Sequence, residues 1–165
     1  MGNESNSSIN NINYNDLSKT LTETELLEVL NSLKECPSKE DLKNIWNHTI
    51  NVAKEGFDDI NKELKKSIQK YLDNDIYDTT DDLNQREGLY DRLWKGNCSV
   101  FYKRVATEVV ECTNDFYRLI NDEHTLDDIL KFIFSFLEHF KQLKKELHEK
   151  HQKQLCRIFK KGKIN

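Results

Sequence analysis

The sequence predicts an all-α protein, in which three long helices and one short N-terminal helix form an elongated antiparallel bundle. Long segments repeat apolar residues with a period close to 3.6, which is typical of helices that bury one face. The chain of 165 residues contains only one Pro and five Gly, fewer turn-forming residues than a β-protein normally carries. Charged residues make up 33%, above the usual share of about 25%, as expected when the outer helix faces are solvated.

The first 21 residues are predicted to be a disordered leader rich in Asn and Ser. Their few apolar residues are isolated and cannot offset the entropy lost on ordering the segment. Residues 22–162 are predicted to form the helical domain.

Capping signals predict where the first two helices begin. Thr22 and Glu25 have the spacing of a capping box, and Pro37 ends the short helix that follows. Ser38 and Asp41 repeat the capping spacing and start a second, long helix.

The long helices are predicted from their apolar stripes. The second helix ends near Asp73. The third runs from about Thr80 to Ile120, with a kink or break at Gly96–Asn97. Thr125 caps the fourth, which ends near Gly162.

No pattern in the sequence indicates a metal site, a cofactor site or a catalytic site. His148 and Cys156 are separated by eight helical rises, about 12 Å, too far for one zinc ion. His148 and His151 are therefore interpreted as surface histidines and Cys156 as a packed cysteine. No segment approaches the ~20 apolar residues of a membrane span, and we predict that the protein is soluble and is not an enzyme.

Charge is distributed unevenly along the chain. Residues 141–165 carry nine Lys or Arg against two Glu, a net +7, which leaves −11 for residues 1–140. This asymmetry suggests an acidic partner for the basic end, although a run of like charges is more often a solvated helix face. The predicted partner-binding residues are Lys144, Lys145, Lys150, Lys153, Arg157 and Lys160.

Aromatic residues within the apolar stripes are predicted to form the structural core, where their large side chains dominate burial. They are Trp46, Phe57, Trp94, Phe101, Phe136 and Phe140.

The run LKNIWNHTINV at Leu42–Val52, its continuation over Glu55–Tyr71 and the segment Leu89–Trp94 resemble the PHIST (Plasmodium helical interspersed subtelomeric) family of malaria parasites. The resemblance covers roughly residues 23–160. It implies a helical domain exported to the cytoplasm and membrane periphery of the infected erythrocyte. The segment Lys19–Glu23 is a near match to the family's export signal. In the family this signal follows a hydrophobic leader, so the resemblance implies that the sequence is truncated, with the natural N-terminus upstream of Met1.

The resemblance implies binding rather than catalysis. The expected function is that of an adaptor, which binds the acidic cytoplasmic tail of a parasite surface adhesin and links it to the host membrane skeleton. We expect a monomer with no nucleic-acid ligand, because no recognition motif accompanies the basic residues. The alternative is a structural tether to spectrin-type host proteins, or a self-associating helical scaffold without a defined peptide ligand.

Overall fold

The computed structural model describes residues 12–74, 92 and 99–164, and within these ranges all regular structure is helical. The helices of the described residues are α1 (Glu23–Ser32), α2 (Lys39–Asn74), α3 (Val100–Asn121) and α4 (Leu126–Ile164). The predicted all-α class is confirmed.

The predicted capping box opens α1. The Glu25 backbone N–H donates to Thr22 Oγ1 at 3.1 Å, and the Thr22 N–H donates to Glu25 Oε1 at 3.0 Å. Each residue thus satisfies a backbone donor that has no partner within the helix.

Only half of the expected capping pattern forms at the start of α2. The Asp41 N–H donates to Ser38 Oγ at 3.2 Å, as the sequence predicts. The Asp41 carboxylate instead accepts a hydrogen bond from the Tyr14 hydroxyl, at 3.4 Å. The carboxylate therefore joins the N-terminal residues to α2.

The described part of the third predicted helix is α3, and its predicted beginning near Thr80 and break at Gly96–Asn97 lie outside the described residues. At the start of α4, the Asp128 N–H donates to Thr125 Oγ1 at 3.1 Å and the Thr125 N–H donates to Asp128 Oδ2 at 3.0 Å. Hydrogen bonding from the backbone N–H and the side chain of Thr125 to the Asp128 carboxylate lowers the pKa of this carboxyl below its ordinary value. The predicted cap of the fourth helix is confirmed.

The chain divides into two compact units, and unit 1 comprises Met1–Glu55 and Val109–Lys141. Its core is an aromatic cluster around Trp46 of α2. The Trp46 ring stacks on Phe116 with centroids 4.6 Å apart, and its centroid lies 4.7 Å from that of Phe136. The indole Nε1 donates to Thr113 Oγ1 at 2.9 Å, so the buried N–H has a partner.

Unit 2 comprises Gly56–Glu108 and Gln142–Asn165. The Phe57 and Phe101 rings lie 5.7 Å apart at an angle of 52°. The buried side chains of this unit come from α2, α3 and α4, and include Leu64, Val105, Leu143 and Leu147.

The residues just before α1 make contacts that their composition does not predict. Leu21 is buried, and the Asn44 amide of α2 donates to Asn15 Oδ1 at 2.8 Å. The Tyr14 carbonyl accepts a hydrogen bond from Nε2 of the buried His48, at 2.8 Å. Because a carbonyl can only accept, His48 carries its proton on Nε2. Residues 14–21 are thereby joined to the helical part of unit 1.

Candidate partner-binding surface

Three of the predicted partner-binding lysines lie on the exposed surface of α4. Lys145, Lys150 and Lys153 are all exposed. Within the described residues, none of them forms an ion pair with an acidic side chain. Their charges are therefore available to a partner. The side chains of Arg157 and Lys160 lie outside the described residues.

The three exposed lysines do not share one face. Lys150 and Lys153 are three positions apart, which places them about 60° apart around the helix, whereas Lys145 is about 140° from Lys150. Lys150 and Lys153 form one basic edge, here called the α4 basic edge. Lys145 lies about 80° from Lys153, so it borders this edge without being part of it.

The Lys144 side chain makes contacts within the protein. Its side chain is half-buried and Nζ lies 5.5 Å from the centroid of the Phe57 ring, within the range of a cation–π contact. The side chain crosses α2 at Gly56, where a Cβ atom would meet Lys144 Nζ, Cε and Cδ. Gly56 therefore provides the space that Lys144 occupies.

The structure places five of the six predicted core aromatics and leaves Trp94 outside the described residues. Phe101 is half-buried. The others are buried, with exposed fractions of 0–4%: Trp46, Phe57, Phe136 and Phe140.

A cavity of about 300 Å³ in unit 2 was not foreseen from the sequence. Side chains from α2 and α4 line it: Ile60, Glu63, Leu64, Lys66, Ser67, His148, His151 and Gln152. Glu63 and His148 approach each other there, with Oε2 and Nε2 3.7 Å apart. The cavity therefore combines apolar walls with several hydrogen-bonding groups.

The interpretation of His151 as a surface histidine is wrong. Only 3% of its surface is exposed, and neither ring nitrogen has a hydrogen-bond partner among the described residues. His151 follows Leu147 by four residues and precedes Leu155 by four, which puts it on the buried stripe of α4. That spacing was the signal in the sequence for its burial. His148 is half-buried, and the Cys156 side chain lies outside the described residues.

Burial also changes the acid–base behaviour of His151. Desolvation disfavours the charged imidazolium and lowers the pKa of His151 below its ordinary value, and the nearby Lys150 and His148 lower it further. At neutral pH the ring is uncharged, with one N–H donor and one nitrogen acceptor.

The part of the chain that the structure describes holds no group of three or more His, Cys, Asp or Glu residues arranged to bind a metal ion. None of the helices described is both long and apolar enough to cross a membrane.

Comparison with known proteins gives the chain its family. Residues 20–151 match the family model described as Plasmodium RESA N-terminal. The fold also matches the crystal structure of a PHIT/PHISTa-like subfamily protein from Plasmodium falciparum. The TM-score is 0.61, the sequences are 28% identical, and the match covers 82% of this chain and 94% of that one. No curated protein matches the sequence. Since the family model spans most of the helical residues, the resemblance to PHIST proteins is confirmed and the chain belongs to the Plasmodium RESA N-terminal family.

Proposed function

We propose that this chain is a non-enzymatic adaptor, exported to the infected erythrocyte. It binds an acidic segment in the cytoplasmic tail of a parasite surface adhesin and links it to the host membrane skeleton. Membership of the family supports the cellular setting. The observation that carries the binding proposal is the α4 basic edge, where Lys150 and Lys153 are exposed and lack acidic partners among the described residues.

An acidic and extended partner suits this surface for electrostatic reasons. Complementary charges accelerate encounter and exclude partners of the wrong sign. Exposed charge contacts are individually weak, at about 0.2–1 kcal/mol each, so the partner must present several acidic residues. Such binding must also weaken as salt screens the charges over the Debye length.

The test is a calorimetric titration of the protein with an acidic peptide, repeated with Lys150→Glu/Lys153→Glu. We expect the double reversal to weaken binding about tenfold, because tenfold corresponds to about 1.4 kcal/mol and two contacts become repulsive. The matched control is Lys54→Glu/Lys103→Glu, which makes the same net charge change at exposed positions of α2 and α3. The control should bind nearly as tightly as the unmodified protein.

Three results would overturn the proposal. If the double reversal and its control lose affinity for the peptide equally, binding depends only on the net charge of the protein. Affinity that stays constant as salt is raised would exclude electrostatic capture, and the complete absence of binding would favour the structural tether.

A further inference from the structure

The cavity of unit 2 is a groove that opens to solvent between α2 and α4. Four of its lining side chains, Glu63, Lys66, Ser67 and Gln152, are exposed, whereas Leu64 is buried. Its volume of about 300 Å³ lies at the lower end of the range for small-molecule sites. A side chain of another molecule can therefore enter this groove from solvent.

The two helices run in the same direction beside the groove. Lys144 of α4 contacts Phe57 of α2, with Nζ 5.5 Å from the ring centroid. Further along both helices, His148 Nε2 lies 3.7 Å from Glu63 Oε2. Because the contacts advance along both helices together, the residues four positions after Glu63 and His148 lie at a common level of the groove.

The two levels of the groove differ in their hydrogen bonding. At the first level, the Glu63 carboxylate and the His148 ring already face each other. At the second level, about 6 Å further along, Ser67 and Gln152 line the groove with Lys66 beside them. None of these three side chains has a hydrogen-bond or ion-pair partner among the described residues. The second level therefore offers an ammonium, a hydroxyl and an amide to an entering group.

These three groups favour a carboxylate. A carboxylate only accepts hydrogen bonds and can accept several, whereas a lysine ammonium only donates them. Hydrogen bonds between ionised partners are also stronger than those between neutral groups. Lys70 is exposed and follows Lys66 by four residues, so it adds positive charge on the same side of α2. The acidic residue of the lining, Glu63, belongs to the other level and faces His148.

The apolar wall of the groove favours a carboxylate that is carried on an aliphatic stem. Leu64 precedes Ser67 by three residues and Ile60 precedes Leu64 by four, and both line the α2 side. A glutamate side chain has two methylene groups, which can contact this wall while the carboxylate reaches Lys66. Aspartate has one methylene group and covers less of the wall, so glutamate fits the groove better.

We propose that this groove binds a glutamate side chain of the acidic partner segment, with Lys66 as its counter-ion and Ser67 and Gln152 as hydrogen-bond donors. The inference rests on the proposed adaptor function, because it adds a contact with the same partner. Gln152 is followed directly by Lys153, so the groove and the α4 basic edge border the same turn of α4. Both ring nitrogens of His151 are buried, and that residue takes no part in binding.

The first experiment follows the full chain by NMR during titration with N-acetyl-glutamate N-methylamide and with its glutamine counterpart, which has the same shape but no charge. We expect the glutamate compound to bind about fivefold more tightly, because an exposed ion pair contributes up to about 1 kcal/mol and tenfold in affinity corresponds to about 1.4 kcal/mol. It should also shift the side-chain amide resonances of Gln152. Equal affinities, or no shift at Gln152, would overturn the proposal.

Matched variants test the role of Lys66. Lys66→Glu should remove the preference for the glutamate compound. Lys54→Glu makes the same charge change at an exposed position of the same helix and should leave most of the preference intact. Both substitutions are at the surface, where effects on stability are small. Equal losses in the two variants would assign the preference to net charge and contradict the inference.

A titration with the acidic peptide separates this inference from the adaptor proposal. We expect Lys66→Glu to weaken peptide binding several-fold, in addition to the loss caused by Lys150→Glu/Lys153→Glu. If the glutamate compound binds at Gln152 but the peptide does not bind, the carboxylate site stands and the adaptor proposal fails. If the peptide binds through the α4 basic edge but is insensitive to Lys66→Glu, the adaptor proposal stands and this inference fails.

Discussion

At the scale of single residues, two buried polar side chains of this protein differ in their hydrogen bonding. The Trp46 indole is fully buried and donates to Thr113 Oγ1 at 2.9 Å. His151 is almost as deeply buried, yet neither of its ring nitrogens is paired among the described residues. A buried polar group stabilises a fold only when it is paired. The first residue is therefore expected to support the core, and the second to weaken it.

The Trp46–Thr113 hydrogen bond can be measured with a double-mutant cycle. Thr113→Val keeps the side-chain shape but leaves the indole N–H unpaired, and should lower the free energy of unfolding by about 1–3 kcal/mol. In a Trp46→Phe background the same change should cost much less, because no donor remains. Urea unfolding of the four proteins checks this. Equal costs in both backgrounds would show that the hydrogen bond does not contribute.

His151 should make stability depend on pH. Because burial lowers its pKa, the folded state binds the proton less readily than the unfolded state, whose histidine pKa is about 6.5. Protonation of His151 therefore costs no stability above about pH 6.5, and it lowers the free energy of unfolding as the pH falls toward the folded-state pKa.

We expect the free energy of unfolding in urea to be lower at pH 5.5 than at pH 7.5, and this loss to be smaller in His151→Leu. The exposed His139 provides the control, since His139→Leu should keep the full acid loss. A loss that is unchanged in His151→Leu would assign the pH dependence to other groups.

At the scale of elements, α4 combines burial and charge. Its apolar stripe is buried at Ile133, Phe140 and Leu147, whereas Lys150 and Lys153 are exposed beyond it. The Lys144 side chain crosses α2 at Gly56, in the middle of that helix. Glycine in a helix interior lowers stability by about 0.5–1 kcal/mol relative to alanine. Gly56 thus accommodates a tertiary contact at the expense of helix propensity.

Gly56→Ala tests this balance. The atoms that a Cβ would meet are at the flexible end of Lys144, so the side chain can move aside with little strain. In a Lys144→Ala background, the change should raise the free energy of unfolding by about 0.5–1 kcal/mol, through helix propensity alone. In the unmodified protein the gain should be smaller, because the Lys144 contact with Phe57 is displaced. Thermal unfolding of the four variants measures both values, and a destabilised Gly56→Ala/Lys144→Ala protein would contradict this account.

At the scale of the whole molecule, residues outside the helices also contribute to the fold. The Tyr14 carbonyl pairs with His48, and the Tyr14 hydroxyl pairs with Asp41. Partial burial, and the Asp41 carboxylate next to it, raise the pKa of Tyr14. Both contacts link residues far apart in sequence. Unit 1 therefore includes a non-helical N-terminal stretch.

Deleting residues 1–18 should lower the free energy of unfolding by about 1–3 kcal/mol, because His48 Nε2 would lose its only hydrogen-bond partner among the described residues. Deletion of residues 1–11 leaves Tyr14 in place and serves as the control. In urea unfolding, the protein without residues 1–18 should be clearly less stable than the protein without residues 1–11. This difference should account for most of the loss in the free energy of unfolding. Equal stability of the two deletion proteins would mean that the contact with His48 contributes little.

The sequence by itself determined the features that depend on local spacing. The capping residues Thr22, Ser38 and Thr125 mark where α1, α2 and α4 begin, because a cap involves only residues three positions apart. The apolar period predicted the all-α class and the burial of Trp46. The motifs of the sequence indicated the family. Its charge pattern also identified Lys150 and Lys153 as exposed cations.

Only the tertiary structure decided which polar side chains are paired, since partners such as Trp46 and Thr113 are far apart in the chain. It placed Lys144 against Phe57 and buried His151 beside a cavity formed by two helices. Helical periodicity tells which face of each helix is buried. It does not tell what that face meets, because contacts between helices depend on how separate stripes pack against one another.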